Sequence, residues 1–80
     1  MAVAGLLLKA KQEKERDVVK SLKEMKGVEV HAFEKGDIVV VIETDTGRGI
    51  EEITEKIRNI SGVLGVFPTY IHYEDEFERR

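Results

Sequence analysis

A chain of 80 residues with 41% apolar and 36% charged residues has the composition of one folded, soluble domain rather than a disordered polymer. At this size only about 60% of the unfolded surface is buried, so the core is a single thin layer with no room for a deep cleft between domains. The formal charge of −3 lacks the basic excess of a nucleic-acid binder, and the absence of cysteine removes disulfides, thiol catalysis and thiolate metal sites together.

Residues 1–40 carry eight Lys/Arg against seven Asp/Glu and residues 41–80 carry five against nine, so the second half suits a cationic partner. The apolar start Met1 to Leu8 lacks a basic leader and meets Lys9 after eight residues, too short for a secretion signal or a membrane span. It reads as a strand, and the lack of cysteine is compatible with the cytosol. Residues 3–10 form that strand, apolar on both faces and hence central. Lys11 to Lys26 read as a helix, with Val18, Val19, Leu22 and Met25 on one face, and Gly27 as its stop. Val28 to Glu34 alternate, which predicts a half-buried strand.

Lys35-Gly36-Asp37 is a Gly-containing turn that joins this strand antiparallel to the next. Ile38-Val39-Val40-Val41-Ile42-Glu43 is a β-branched run without alternation, which places it in the middle of a sheet. A polar loop through Gly47-Arg48-Gly49 precedes a second helix over Ile50–Ile60, striped by Ile50, Ile53, Ile57 and Ile60. Val63 to Tyr73 form the last strand, and Pro68 marks it as an edge because proline cannot donate to a ladder. Residues 1–73 thus make one domain, and the acidic segment 74–80 is expected to fray.

The order βαββαβ predicts an α+β, ferredoxin-like sandwich: a four-stranded antiparallel sheet, strands one and three central, with both helices on one face. Strand parity then sorts the residues. Ala4, Leu6, Leu8, Ile38, Val40, Ile42, Leu64 and Val66 are assigned to the core. Leu7, Val39, Val41, Phe33 and Phe67 fall on the open face, rimmed by Lys9, Glu29, His31 and Glu43. An apolar patch with a charged rim is the signature of a surface that docks another chain, either a foreign peptide or a second copy in a homodimer.

Other chemistries of this topology fail on inventory. The two central strands carry no aromatic residue on which RNA bases could stack. An acylphosphatase-like hydrolase needs an Arg-bearing phosphate loop and a water-positioning Asn, but the lone Asn59 lies at the end of the second helix and Lys11-Gln12-Glu13-Lys14 has no Gly. No catalytic residue, metal or cofactor is expected. His31 and His72 fall on opposite edge strands and read as solvated or packed side chains. Gly47-Arg48-Gly49 lacks the spacing and Lys of a nucleotide loop and reads as a turn at a helix start.

Several stretches together resemble one family. Ala10-Lys11, Gly27-Val28-Glu29-Val30, the run Gly36 to Glu43, the junction Ile57-Arg58-Asn59-Ile60-Ser61-Gly62-Val63-Leu64-Gly65-Val66, and Tyr70 with the acidic residues after it are similar to NapD-type proteins. These are small cytoplasmic chaperones for maturation of periplasmic nitrate reductase. The junction Ile57 to Val66 is the most specific piece, and the last strand departs from the pattern with Phe67-Pro68-Thr69 before Tyr70-Ile71-His72. The resemblance implies a partner, the twin-arginine signal peptide of the molybdenum-containing catalytic subunit. It would bind as a helix on the open face, so that export waits for cofactor insertion. The competing class is a dimeric regulatory domain similar to ACT or AsnC-type modules, which would bind an amino acid through the Gly47-Arg48-Gly49 loop.

Overall fold

The structure, a computed structural model, describes residues 1–73. Its elements are β1 (Ala2–Ala10), a single 3₁₀ turn (Gln12–Lys14), α1 (Glu15–Lys23), β2 (Val28–Glu34), β3 (Asp37–Thr44), α2 (Gly47–Arg58) and β4 (Val63–Tyr73). The sheet order is β2-β3-β1-β4 with every neighbour antiparallel, so the two strands that read as continuously apolar are the central pair. This is the ferredoxin-like sandwich that the order of elements predicts, and Pro68 lies on an edge strand.

One face of the sheet is fully used. Ala4, Leu6 and Leu8 of β1 and Ile38, Val40 and Ile42 of β3 are buried against Val18, Val19 and Leu22 of α1 and Ile50 and Ile57 of α2. Removing a side chain of this kind from a close-packed layer costs about 2–5 kcal/mol, so these residues fix the fold. Both helices form because their apolar residues repeat at the helical period. α2 is also capped, since the Thr46 hydroxyl accepts from the Gly49 N–H at 3.3 Å.

The first helix is shorter than its apolar period suggests, and backbone bonds give the reason. The Ala10 N–H donates to the Gly36 carbonyl at 2.7 Å and the Lys11 N–H to the Gly62 carbonyl at 2.9 Å, which hold the chain extended to residue 11. The next three residues then wrap as a tight 3₁₀ turn before α1 begins at Glu15. The Glu15 carboxylate accepts from the Gly36 N–H at 2.7 Å and ties the tip of the β2–β3 hairpin to the start of the helix. At the other end α1 stops at Lys23, three residues early, where the Glu24 and Met25 N–H groups turn back to the Ser21 and Leu22 carbonyls. The second helix begins earlier than Ile50, because Gly47-Arg48-Gly49 forms its first turn.

Three bulges alter the face assignment made from strict alternation. Between β2 and β3 the register shifts at His31: Val30 pairs with Val40, Ala32 with Val39 and Phe33 with Ile38. Two residues, His31 and Ala32, therefore oppose one, and Phe33 moves to the helix side of the sheet, where it lines a shallow groove with Arg16, Val19, Lys20 and Lys23 of α1. The expectation that Phe33 joins the open face is overturned by that extra residue. Between β1 and β4 the register shifts at Leu64 and again at Thr69. Leu64 is the unpaired residue of its bulge and is 65% exposed, so it leaves the core in which alternation had placed it, while Val66 packs against that core as expected. After the second bulge Tyr70 faces the open side opposite Gly5, and Ile71 turns to the helix side opposite Ala4.

The β2–β3 turn carries local strain. Lys35 and Gly36 have φ of +52° and +89°, the pair of left-handed residues that a two-residue hairpin loop requires. Glycine meets this freely and lysine does not. Lys35→Asn is expected to stabilise the domain by about 0.5–1 kcal/mol, because asparagine tolerates the left-handed region far better than a long unbranched side chain. Chemical denaturation of the two proteins checks this, and an unchanged midpoint counts against the turn as a strain site.

Candidate functional site

The face opposite the helices is bare among the described residues. Register aligns its side chains in rows across the strands. At the middle stands Val39–Leu7–Phe67, with the bulged pair His31 and Ala32 at the β2 edge. The next row is Glu29–Val41–Gly5–Tyr70, and the one beyond it Glu43–Val3–His72. At the opposite end Asp37 and Lys9 face each other and form an ion pair of 2.7 Å.

The apolar part of this surface is continuous. Val39 is 41% exposed although it lies on a central strand, and Val3, Leu7 and Val41 are half-buried around it. Two aromatic side chains extend the strip onto β4, where Phe67 is 52% and Tyr70 51% exposed. Glycine at position 5 is what lets Tyr70 reach inward. A Cβ built there would overlap Tyr70 Cε2, and would come within 2.8 Å of Thr69 Oγ1 and 2.9 Å of Tyr70 Cδ2, so the ring leans over the backbone of β1. A glycine inside a central strand signals such a close approach, and it was the one sign in the sequence that an aromatic from β4 crosses the open face. Tyr70 was missed there because strict alternation assigns it to the other side.

The charged rim is uneven. Lys9 is neutralised by Asp37 at one end of the strip. At the other end Glu29 and Glu43 flank Val41, and a shallow depression runs from Met1 and Val41 past both carboxylates to Asp45. Glu29 contacts the His31 ring at 3.2 Å, while among the described residues no cation lies within ion-pair distance of Glu43 or Asp45. Lys26 and Lys56 line the far slope of the same corner, around the sheet edge on the helix side. The open face thus offers apolar contact along its length and carboxylates at one end.

Of the residues singled out from the sequence, Leu7, Lys9, Glu29, Val39, Val41, Glu43 and Phe67 are brought together on this face by the register, and His31 stands at its edge. Phe33 is not among them. His31 and His72 belong to β2 and β4, the two outer strands. Among the described residues no group of three or more His, Cys, Asp or Glu is arranged to hold a metal ion, and no helix is long and apolar enough to cross a membrane. Gly47-Arg48-Gly49 is not a free loop but helical backbone, capped by Thr46.

A ferredoxin-like sandwich with one sheet face left apolar is the architecture of a small binding protein. Comparison with known proteins gives the family: the model of the NapD protein family matches residues 1–75, and the chain belongs to that family. It is 31% identical over 78 residues to the Chaperone NapD of Escherichia coli K12, an alignment that spans 95% of this chain and 90% of the relative. The Chaperone NapD of Shigella flexneri matches equally well. The fold superposes on the solution structure of the E. coli Tat proofreading chaperone protein NapD with a TM-score of 0.82 at 30% identity, covering 98% of this chain and 84% of that one. A crystal structure of a hypothetical protein from Pyrococcus horikoshii gives 0.81 at 28% identity, covering 100% and 99%. The relatives that carry a function in their names are chaperones.

The contact between Gly5 and Tyr70 is open to test. Gly5→Val places a branched side chain where the ring lies, and such overpacking costs about 1–3 kcal/mol. For a domain of this size that lowers the melting temperature by roughly 4–8 °C per kcal/mol. Adding Tyr70→Ala to Gly5→Val is expected to restore part of the loss, whereas strictly additive melting shifts would show that the two residues do not touch.

Proposed function

We propose that this protein is a cytoplasmic chaperone that binds the twin-arginine signal peptide of a molybdenum-containing periplasmic nitrate reductase precursor on its open sheet face, and so delays export until the cofactor is inserted. No bond is made or broken; the work is done by covering a peptide. Membership of a family whose named relatives are chaperones, one of them described as a Tat proofreading chaperone, supports this reading. The observation that carries it to this face is Val39, 41% exposed on a central strand of an otherwise closely packed sheet, within an apolar strip that ends at two carboxylates.

An amphipathic signal helix would lay its apolar side on Leu7, Val39, Val41 and Phe67, gaining about 25 cal/mol for each Å² removed from water. Its paired arginines would meet Glu43 and Glu29 at the acidic end, with His31 beside Glu29 and the Lys9–Asp37 pair closing the other end. Lost translational and conformational freedom offsets much of the gain, so an affinity in the micromolar range or somewhat tighter is expected. The electrostatic share weakens as salt rises, because these carboxylates are exposed.

Calorimetry with a synthetic twin-arginine signal peptide tests the proposal. Val41→Glu, and the less intrusive Val39→Glu at the more exposed position, are each expected to weaken binding at least tenfold while leaving the circular dichroism and the melting cooperativity intact. Full affinity in both folded variants rules out the open face as the binding site. Heat released on adding amino acids to a stable dimer, with none on adding the peptide, would instead favour a regulatory domain.

A further inference from the structure

The bulge at His31 removes Phe33 from the open face and leaves it on the outer flank of α1, a bulky aromatic that is 49% exposed. There Phe33 and the buried Val19 make the apolar lining of a shallow groove whose helical wall carries Arg16, Lys20 and Lys23. We propose that this groove is a second docking surface, separate from the open face, for an acidic peptide segment of a protein partner that carries one bulky apolar residue between carboxylates. The docking does not depend on the signal-peptide reading above.

The helical period puts the three cations in one row. Arg16, Lys20 and Lys23 follow one another at intervals of four and three residues, so they stand on one stripe of α1 that runs for about 10 Å. All three are exposed, and among the described residues none has a carboxylate within ion-pair distance. The two carboxylates of the groove stand at its ends. Glu15 accepts from the Gly36 N–H at 2.7 Å, and Glu24 caps the C-terminal end of the helix. In a chain of net charge −3, three unpaired cations in a row beside an exposed aromatic are a local exception, and they complement a partner of opposite charge.

The surroundings favour a peptide over other polyanions. A basic helix lies on a membrane by burying an apolar face in it, but α1 turns Val18, Val19 and Leu22 into the core and has no apolar face to spare. Single-stranded nucleic acid is held by several aromatics on which successive bases stack, and this groove has one. One aromatic beside a row of cations instead fits one apolar anchor with carboxylates on either side of it, the anchor against Phe33 and Val19 and the carboxylates on Arg16, Lys20 and Lys23. The bulge is what creates this arrangement. An unbroken β2 would continue the helix-side series Val28, Val30 with Ala32, whose methyl group offers an anchor far less contact.

Fluorescence anisotropy with the full chain tests this, using a labelled synthetic peptide that has one tryptophan between two short runs of glutamate. The peptide is expected to bind more weakly as salt rises, and to shift the amide resonances of Arg16, Lys20 and Phe33 while leaving Leu7 and Val41 in place. Arg16→Gln/Lys20→Gln, which alters only exposed side chains, is expected to weaken binding roughly fivefold, and Phe33→Ser to weaken it by a similar factor. Val39→Glu, on the open face, is expected to leave it unchanged. Absence of binding by the parent chain would overturn the proposal, as would full affinity in the folded Arg16→Gln/Lys20→Gln protein. Equal binding of a control peptide with alanine in place of tryptophan would overturn it too, by reducing the groove to a patch of charge. Tighter binding to phosphatidylserine vesicles or to a uridine oligonucleotide than to the peptide would assign the groove to a membrane or to RNA instead.

Discussion

Two helices can cover only one face of a four-stranded sheet, and every feature of this domain follows from how the other face is treated. The helix side takes all of the large buried side chains: Leu6, Leu8, Ile38 and Ile42 meet Val18, Leu22 and Ile57 in one layer. That layer supplies the hydrophobic stabilisation that an 80-residue chain needs to offset its conformational entropy. The open side is then free of any structural requirement to be apolar, and yet Val3, Leu7, Val39 and Val41 occupy it. A sheet that had only to fold would carry threonine, lysine or glutamate at those positions. Their hydrophobicity weakens solubility and adds little to the core, which is why the open face, rather than any of the shallow surface depressions, is where a function is sought.

Most of the architecture was legible because it depends on period and punctuation. The unbroken β-branched run Ile38–Ile42 could only be a central strand, Pro68 could only sit at an edge, and Gly27 and Gly62 ended what preceded them. Pairing order, strand limits and the buried half of both central strands follow from those signals. What strict alternation could not carry was the position of single inserted residues. One extra residue at His31 turns Phe33 to the helix side of the sheet, where it stays half exposed beside α1; one at Leu64 exposes a leucine; one at Thr69 exchanges the faces of Tyr70 and Ile71. Bulges of this kind are set by how twisted edge strands fit their neighbours, and the local sequence carries little trace of them beyond a glycine or a proline nearby. The central strands are pinned on both sides by neighbours and hold their register, so errors of reading accumulate at the edges.

The same division applies to the site. Residues contributed by β1 and β3 are where parity places them, because their pairing from Ala2–Thr44 to Lys9–Asp37 is unbroken. Of those contributed by β2 and β4, Glu29 and Phe67 also lie where parity places them, while Phe33 and Tyr70 required the structure. The strip gains Tyr70 and loses Phe33, which shifts its aromatic content entirely to the β4 side and leaves the β2 side to Glu29 and His31. The apolar strip is therefore lopsided, aromatic along one edge and ionic along the other.

The bulges also decide what form a guest can take. β2 is interrupted at His31, and β4 carries two bulges and a proline, so neither edge presents the regular row of amides and carbonyls onto which an added strand could zip. The central strands, for their part, have committed their backbone groups to the ladders on either side. A polypeptide arriving on this face finds side chains and no backbone partners. It must bring its own hydrogen bonds already made, which an isolated strand cannot do and a helix does by construction. The irregular edges, which look like defects in the sheet, thus offer an added strand no regular ladder and leave the broad face as a surface of side chains alone.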